Sequence, residues 1–325
     1  MAADERQARL RPSELIRAAG VARRYFIDGL SKVDIANEFG LSRFKVARVL
    51  DEARAAGIVH IEIVVPAEID TTLSEDLRER FGLRDAIVVA VPDEPDRSIR
   101  DQVGRLAANY LTEIIEEGDV VGLACSRTLH EMTRALTELP TITVVQLTGV
   151  YPGGVEENSV ELVRRVASIA GGSAYPIYAP LVVDDAATAR SLRNQPQVAD
   201  AMRRYRDLTK AIVAIGSWEP AVSLVRDSLP DAEGEALRAR GVRAEVCARL
   251  LDDDGNALPD LADRVIAITL EELRQVPEVV AVAAGAAKTE AVRAVLNAGF
   301  VTAIVTDAGI ARALLDRTEH GDSGA

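Results

Sequence analysis

The chain has 325 residues, 48% of them hydrophobic, and a net charge of −13. That length predicts two domains, or one large domain with an appendage, and enough apolar residues for a sizeable core. No stretch of 18 apolar residues lacks a charge, the polar start has no signal-peptide pattern, and Cys125 and Cys247 are too far apart for a disulfide framework or a metal-ligand spacing. These features exclude a helical membrane protein, a disulfide-stapled secreted domain and a metal cluster. They lead us to expect a cytoplasmic protein with no cofactor.

In chain order, PSELIRAAGVARRYF predicts a first helix. Its apolar residues Leu15, Ile16, Ala19, Ala22, Tyr25 and Phe26 are spaced three and four apart. A second helix is expected over about 32–39, with Ser31 as its cap and Val33, Ile35, Ala36 and Phe39 on its buried side. Gly40 suits a sharp turn. A third helix follows over about 43–55, capped by Ser42 and ended by Gly57. Ala36, Gly40 and Val46 form the small residue, turn glycine and branched apolar residue of a helix-turn-helix. The residues left facing outward are Ser42, Arg43, Phe44, Ala47 and Arg48, with Lys45 suited to a phosphate. The start of such a helix is the part that meets base edges in the major groove. The charge distribution agrees. Residues 1–57 hold 11 Lys/Arg against 8 Asp/Glu, and the remainder 27 against 43, so DNA contact is expected from the head alone.

Residues 58–84 read as a wing or linker, with a strand over IVHIEIVVP and a short helix at 73–83. From Asp85 the pattern alternates. Strands are expected at 86–91, 119–124, 142–149, 210–216, 244–251, 264–269, 278–285 and 301–307. Helices are expected at 99–118, 128–138, 158–171, 233–240, 288–298 and 309–317. Near-continuous Val/Ile/Ala runs separated by helices indicate a mostly parallel sheet covered on both faces, in a domain over 85–325.

Ligands of such sheets collect at the carboxyl ends of the strands, beside helix N-termini that favour anions. Four exits are candidates. Ser126, Arg127 and Thr128 place two hydroxyls and a guanidinium at one helix start, though a serine or threonine there can also be a plain cap. Gly285 and Lys288 form another exit, and Lys288 is one of only four lysines in the chain. Arg249 and Asp252 could meet a sugar hydroxyl or phosphate, although DDDGN is by default a polar turn. It lacks the closing glutamate of a calcium loop, since residue 263 is aspartate. Gln146 could bind hydroxyls. No catalytic triad emerges from Cys125 or from His60, His130 and His320.

The ordered set LSRFKVARVLDEARAAGIVHIEI, GLACSRTL, QLTG, YAPLVV, CARLLDDDG, VAVAAGAAKTEAV and AIVTD resembles the SorC-type sugar-binding transcriptional regulators over nearly the whole chain. The resemblance implies an N-terminal helix-turn-helix and a Rossmann-like α/β effector domain, similar to sugar-phosphate isomerases and deaminases. It also implies an effector that is a phosphorylated sugar. By position, Ser126, Arg127 and Thr128 fall on the family's phosphate-side loop, Arg249 and Asp252 on its polar motif, and Gly285 and Lys288 on its glycine–lysine turn. Cys125-Ser126 departs from the family's frequent Trp-Gly pair, which extends the expected effectors to a non-phosphorylated sugar or polyol. The expected partners are double-stranded operator DNA and such an effector, in a homodimer or homotetramer, with no membrane partner and no enzymatic activity. The alternative is a sugar-phosphate isomerase or deaminase with a helical oligomerisation head, using Asp252 or Asp307 as base.

Overall fold

The structure, a computed structural model, describes residues 11–59, 68–90, 96–151 and 158–316. The chain divides into two compact units, Met1–Val65 and Pro66–Ala325. Among the described residues no helix is long and apolar enough to cross a membrane.

The first unit is a trihelical head of α1 (Pro12–Phe26), α2 (Lys32–Phe39) and α3 (Arg43–Ala55). Ser31 caps α2 by accepting from the Asp34 amide, and Ser42 caps α3 by accepting from the Lys45 amide. Between them Gly40 ends α2 at φ 63°. The core is Ala18, Val21, Ala22, Ile35, Ala36, Val46, Val49, Leu50 and Ala53. This rotates the face of α1 that its apolar spacing predicts. Ile16 is 76% exposed, and Leu15 and Phe26 also face out. Ala22 is buried as expected, and the smaller Ala18 and Val21 join it in place of the larger residues. Val33 is likewise exposed, not buried. Ile58 and Val59 pack on this core. The rest of the strand expected there lies outside the described residues.

In the second unit α4 (Thr71–Phe81) packs on β1 (Asp85–Val89), so the helix expected in a linker belongs with the sheet. Then come α5 (Asp96–Ile114), β2 (Val120–Leu123), α6 (Arg127–Ala135), β3 (Thr143–Gln146), α7 (Ser159–Ile169), β4 (Ser173–Tyr175), α8 (Ala186–Arg193), α9 (Pro196–Arg203) and β5 (Lys210–Ala214). After β6 (Gly216–Ser217), α10 (Leu224–Asp227) and α11 (Asp231–Ala239), the chain forms β7 (Ala244–Val246), β8 (Arg249–Leu251) and β9 (Ala257–Leu258). It ends with α12 (Leu270–Leu273), β10 (Glu278–Val282), α13 (Thr289–Asn297), β11 (Ala303–Asp307) and α14 (Ala308–Leu315).

Seven strands form one parallel sheet in the order β1-β11-β10-β5-β2-β3-β4. β10 and β11 are buried along their whole length, as continuous apolar runs predict. Two expectations are corrected. Residues 244–251 are not one strand but an antiparallel hairpin in a second sheet, β6-β7-β8-β9. It turns at Cys247 and Ala248, whose φ values are 52° and 60°. The segment 264–269 makes only single bridges, Val265 to Val182 and Ala267 to Thr148. Its Val265 and Ala267 pack in a smaller core with Trp218, Leu237 and Leu250, and its Ile266 and Ile268 in the main core.

At the amino ends of the central strands sits a buried charge cluster. Lys210 bonds Asp119 at 2.7 Å and lies 3.9 Å from Glu278, which also meets Arg84. Burial works to raise the Asp119 carboxyl. Lys210, the Glu116 amide and the Thr209 hydroxyl outweigh it and hold the group below the ordinary carboxylate range. Lys210→Met leaves two buried carboxylates without their shared cation. We expect a loss of roughly 3–5 kcal/mol in unfolding free energy, read from the urea midpoint at neutral pH. A loss below about 1 kcal/mol would show that the cluster does not hold the sheet together.

Candidate functional site

From β2 the chain steps outward through β3 to β4. From β5 it steps the opposite way through β10 to β11. The order therefore reverses between β2 and β5, and the crevice beyond their carboxyl ends is where an open α/β sheet binds ligands. A cleft occupies that place. Ala124–Thr128 line it from the exit of β2, Ala214–Gly216 from β5, and Ala284, Gly285 and Lys288 from β10. Glu245 and Cys247 reach it from the small sheet, Arg100 from α5, and Thr148 from beyond β3.

Two of the four predicted exits thus meet in one place. Ser126 caps α6 by accepting from the Leu129 amide at 3.1 Å, as its capping reading predicts, and it lines the cleft as well. Thr128 is buried at the same helix start and Arg127 is exposed. Gly285 donates its amide to Asp307 Oδ2 at 2.7 Å, which ties this turn to β11. Lys288 Nζ donates to the Ile215 carbonyl at 2.8 Å.

The structure does not bring Gln146, Arg249 or Asp252 into the cleft. Gln146 is fully buried. Its amide nitrogen donates to Thr148 O and Ser159 Oγ, and its oxygen accepts from the Ile177 amide, so its hydrogen-bonding capacity holds neighbouring segments together. Arg249 is buried and donates to the carbonyls of Ile268, Ala267 and Ala262, fastening the hairpin to the 262–268 segment. Burial, reinforced by Arg193, holds its pKa below the usual arginine value. Asp252 accepts from the Asp254 and Asn256 amides and shapes the turn between β8 and β9.

Three residues that sequence reasoning missed, Glu245, Arg100 and Thr148, join the predicted Arg127 and Lys288 in the cleft. Glu245 is buried. It accepts from the Ser223 hydroxyl at 2.9 Å and the Ala248 amide at 3.0 Å. Burial pushes its pKa up, against the pull of those two donors and of the Lys288 charge. Gly216 makes room for this carboxylate, since a Cβ there would stand 2.0 Å from Glu245 Oε1. Burial drives Lys288 down to about 8. Arg127 and Arg100 push the same way and Glu245 opposes them. Among the described residues neither Arg100 nor Arg127 pairs with a carboxylate. Arg100 comes to the cleft because α5 lies hard against α6 at Gly104, where a Cβ would approach Met132 N to 2.9 Å. Thr148 Oγ1 is buried with no hydrogen-bond partner among the described residues. The cleft thus offers three cations, one buried carboxylate and an unused hydroxyl. That set suits a small anion carrying hydroxyl groups. No spacing rule flags Glu245 or Thr148, because each reaches the cleft only through long-range topology.

With four lysines in the chain, the Lys288 titration can be observed directly by NMR of lysine labelled at its side-chain carbon. One resonance is expected to titrate near pH 8, to shift lower in Glu245→Gln, and to vanish in Lys288→Arg. A Lys288 signal titrating at the ordinary lysine value would refute the burial of this ammonium.

A family model described as a "putative sugar-binding domain" matches residues 65–316. The chain is 30% identical over 304 residues to the uncharacterized transcriptional regulator YjhU of Escherichia coli (strain K12), covering 90% of this chain and 92% of that one. It is 27% identical over 301 residues to the deoxyribonucleoside regulator of Bacillus subtilis (strain 168), covering 91% and 96%. It is 29% identical over 318 residues to the transcriptional regulator LsrR of Klebsiella pneumoniae subsp. pneumoniae, covering 96% of each. The crystal structure of the full-length sorbitol operon regulator SorC from Klebsiella pneumoniae matches with a TM-score of 0.72 at 21% identity, over 93% of this chain and 99% of that one, a likeness of fold.

Proposed function

The chain belongs to the SorC-type family of sugar-binding transcriptional regulators, and on that premise we propose that its cleft senses a phosphorylated sugar and thereby sets how tightly the head holds DNA. It is a DNA-binding regulator governed by a small effector. The observation that carries the effector assignment is the meeting of Arg100, Arg127 and Lys288 with buried Glu245 in one cleft at the reversal of strand order.

In this reading the phosphate sits at the start of α6, where the amides of Arg127 and Thr128 and the helix dipole favour negative charge. Arg127 and Arg100 flank it. The sugar hydroxyls turn toward Glu245, which accepts from them, and toward Thr148. Lys288 bridges the two regions. The carboxylates that an isomerase reading would use as base do other work. Asp252 shapes a turn, and Asp307 accepts from the Gly285 and Ile310 amides. We therefore read the cleft as a sensor.

At the head, Ser42, Arg43, Lys45 and Arg48 are exposed along the first turns of α3, with Ala47 half-buried. Arg43 and Arg48 donate to base edges and Lys45 to a phosphate. Arg48 first has to leave Glu52, which it meets at 3.1 Å, a pair exposed enough to exchange at little cost. Two heads of a homodimer or homotetramer read half-sites spaced by whole turns of about 34 Å. The effector acts through a difference in its affinity for the two arrangements of the assembly, commonly on the order of 1–3 kcal/mol.

Two measurements test the two halves. Above pH 8 the free cleft loses the Lys288 proton, whereas a bound sugar phosphate, already dianionic, favours the charged ammonium. Affinity for a sugar phosphate should then fall by up to about tenfold per pH unit above 8, with proton uptake on binding. Titration calorimetry in buffers of different ionisation heat reads both effects, and Lys288→Met should abolish both. Binding without proton uptake between pH 8 and 9 would remove Lys288 from the effector's contacts. Separately, Arg43→Ala should weaken binding to a selected operator duplex by roughly 1–3 kcal/mol and relax the preference for one guanine. Unchanged binding would remove α3 as the recognition helix.

A further inference from the structure

Phe44 is 87% exposed, more than any other large apolar side chain among the described residues. It stands at the second position of α3, where a phenyl ring adds nothing to helix propensity. It takes no part in the head's core, to which α3 contributes Val46, Val49, Leu50 and Ala53. Folding of the head therefore gives no reason for an aromatic ring here.

Its neighbours indicate what covers it. Arg43 precedes it and Lys45 follows it, both exposed, and neither pairs with a carboxylate among the described residues. An apolar protein surface that took in the ring would have to take in these cations too. A DNA major groove satisfies both demands. Its walls carry phosphates, and the apolar points on its floor are the C5-methyl groups of thymine. A recognition helix enters that groove by its N-terminal turns, which is where Phe44 lies.

We propose that Phe44 reads thymine. Its ring packs on the C5-methyl of one thymine in each half-site and adds a preference that the hydrogen bonds of Arg43 and Arg48 do not supply. This rests on the head's reading as a DNA binder.

The experiment uses the full-length chain. Bound duplexes are selected from a randomised pool. Each thymine of the selected sequence is then replaced in turn by deoxyuridine, which removes only the methyl. The wild type should lose about fourfold in affinity at one thymine per half-site, the amount expected for one buried methyl group. Phe44→Ala should bind the thymine and uracil versions of that site equally, and Phe44→Leu should keep part of the preference. The ring lies outside the core, so both variants should retain the wild-type helical content. A wild type indifferent to every replacement overturns the proposal while leaving the DNA-binding head intact. So does a Phe44→Ala protein with undiminished discrimination. A wild type that enriches no sequence from the pool refutes the head's role and the proposal with it.

Discussion

The amino ends of three neighbouring strands converge on one buried ammonium. Lys210 opens β5, bonds Asp119 just before β2, and faces Glu278 at the start of β10. A slip of one residue between any two of these strands would move Lys210 away from Asp119 or Glu278 and strand a buried charge. The cluster therefore fixes register as well as adding stability. The strands are parallel and only four or five residues long, so fixing one end fixes the other. That other end carries Ser126, Gly216 and Gly285. The cleft inherits its geometry from a charge cluster at the far side of the sheet.

Inside the cleft, charge is arranged to be incomplete. Glu245 and Lys288 moderate each other's burial, yet Arg100 and Arg127 leave the cavity with surplus positive charge. On the proposed reading, a dianion with hydroxyl groups resolves that imbalance, and a neutral polyol would engage the carboxylate side alone.

The local patterns carried much of this in advance. Ser31, Gly40 and Ser42 mark the turns of the head, and each cap forms where the residue types place it. The Val/Ile/Ala runs mark the buried strands, and Ser126 and Lys288 fall at strand exits that share a cleft. Other features depended on distant parts of the chain. Hairpin 244–251 read as one strand because its turn uses Cys247 and Ala248 in a left-handed conformation that sequence assigns to glycine or asparagine. Arg249, Asp252 and Gln146 looked like ligand groups because polar residues near strand ends usually are. Arg249 is taken up by carbonyls of the remote 262–268 segment and Gln146 by Ser159 and Ile177 as well as Thr148, whereas Asp252 only closes its own turn with the Asp254 and Asn256 amides. On α1 the large apolar residues outweighed the small ones in the periodicity, whereas packing of the three helices buries Ala18 and Val21 beside the expected Ala22.

The contact between α5 and α6 at Gly104 has a mechanical consequence. Helices whose backbones touch cannot slide or roll past one another without colliding, so they travel as a single plate. One carries Arg100 and the other Arg127. A side chain at position 104 would wedge the pair apart and separate the two guanidiniums at the mouth of the cleft.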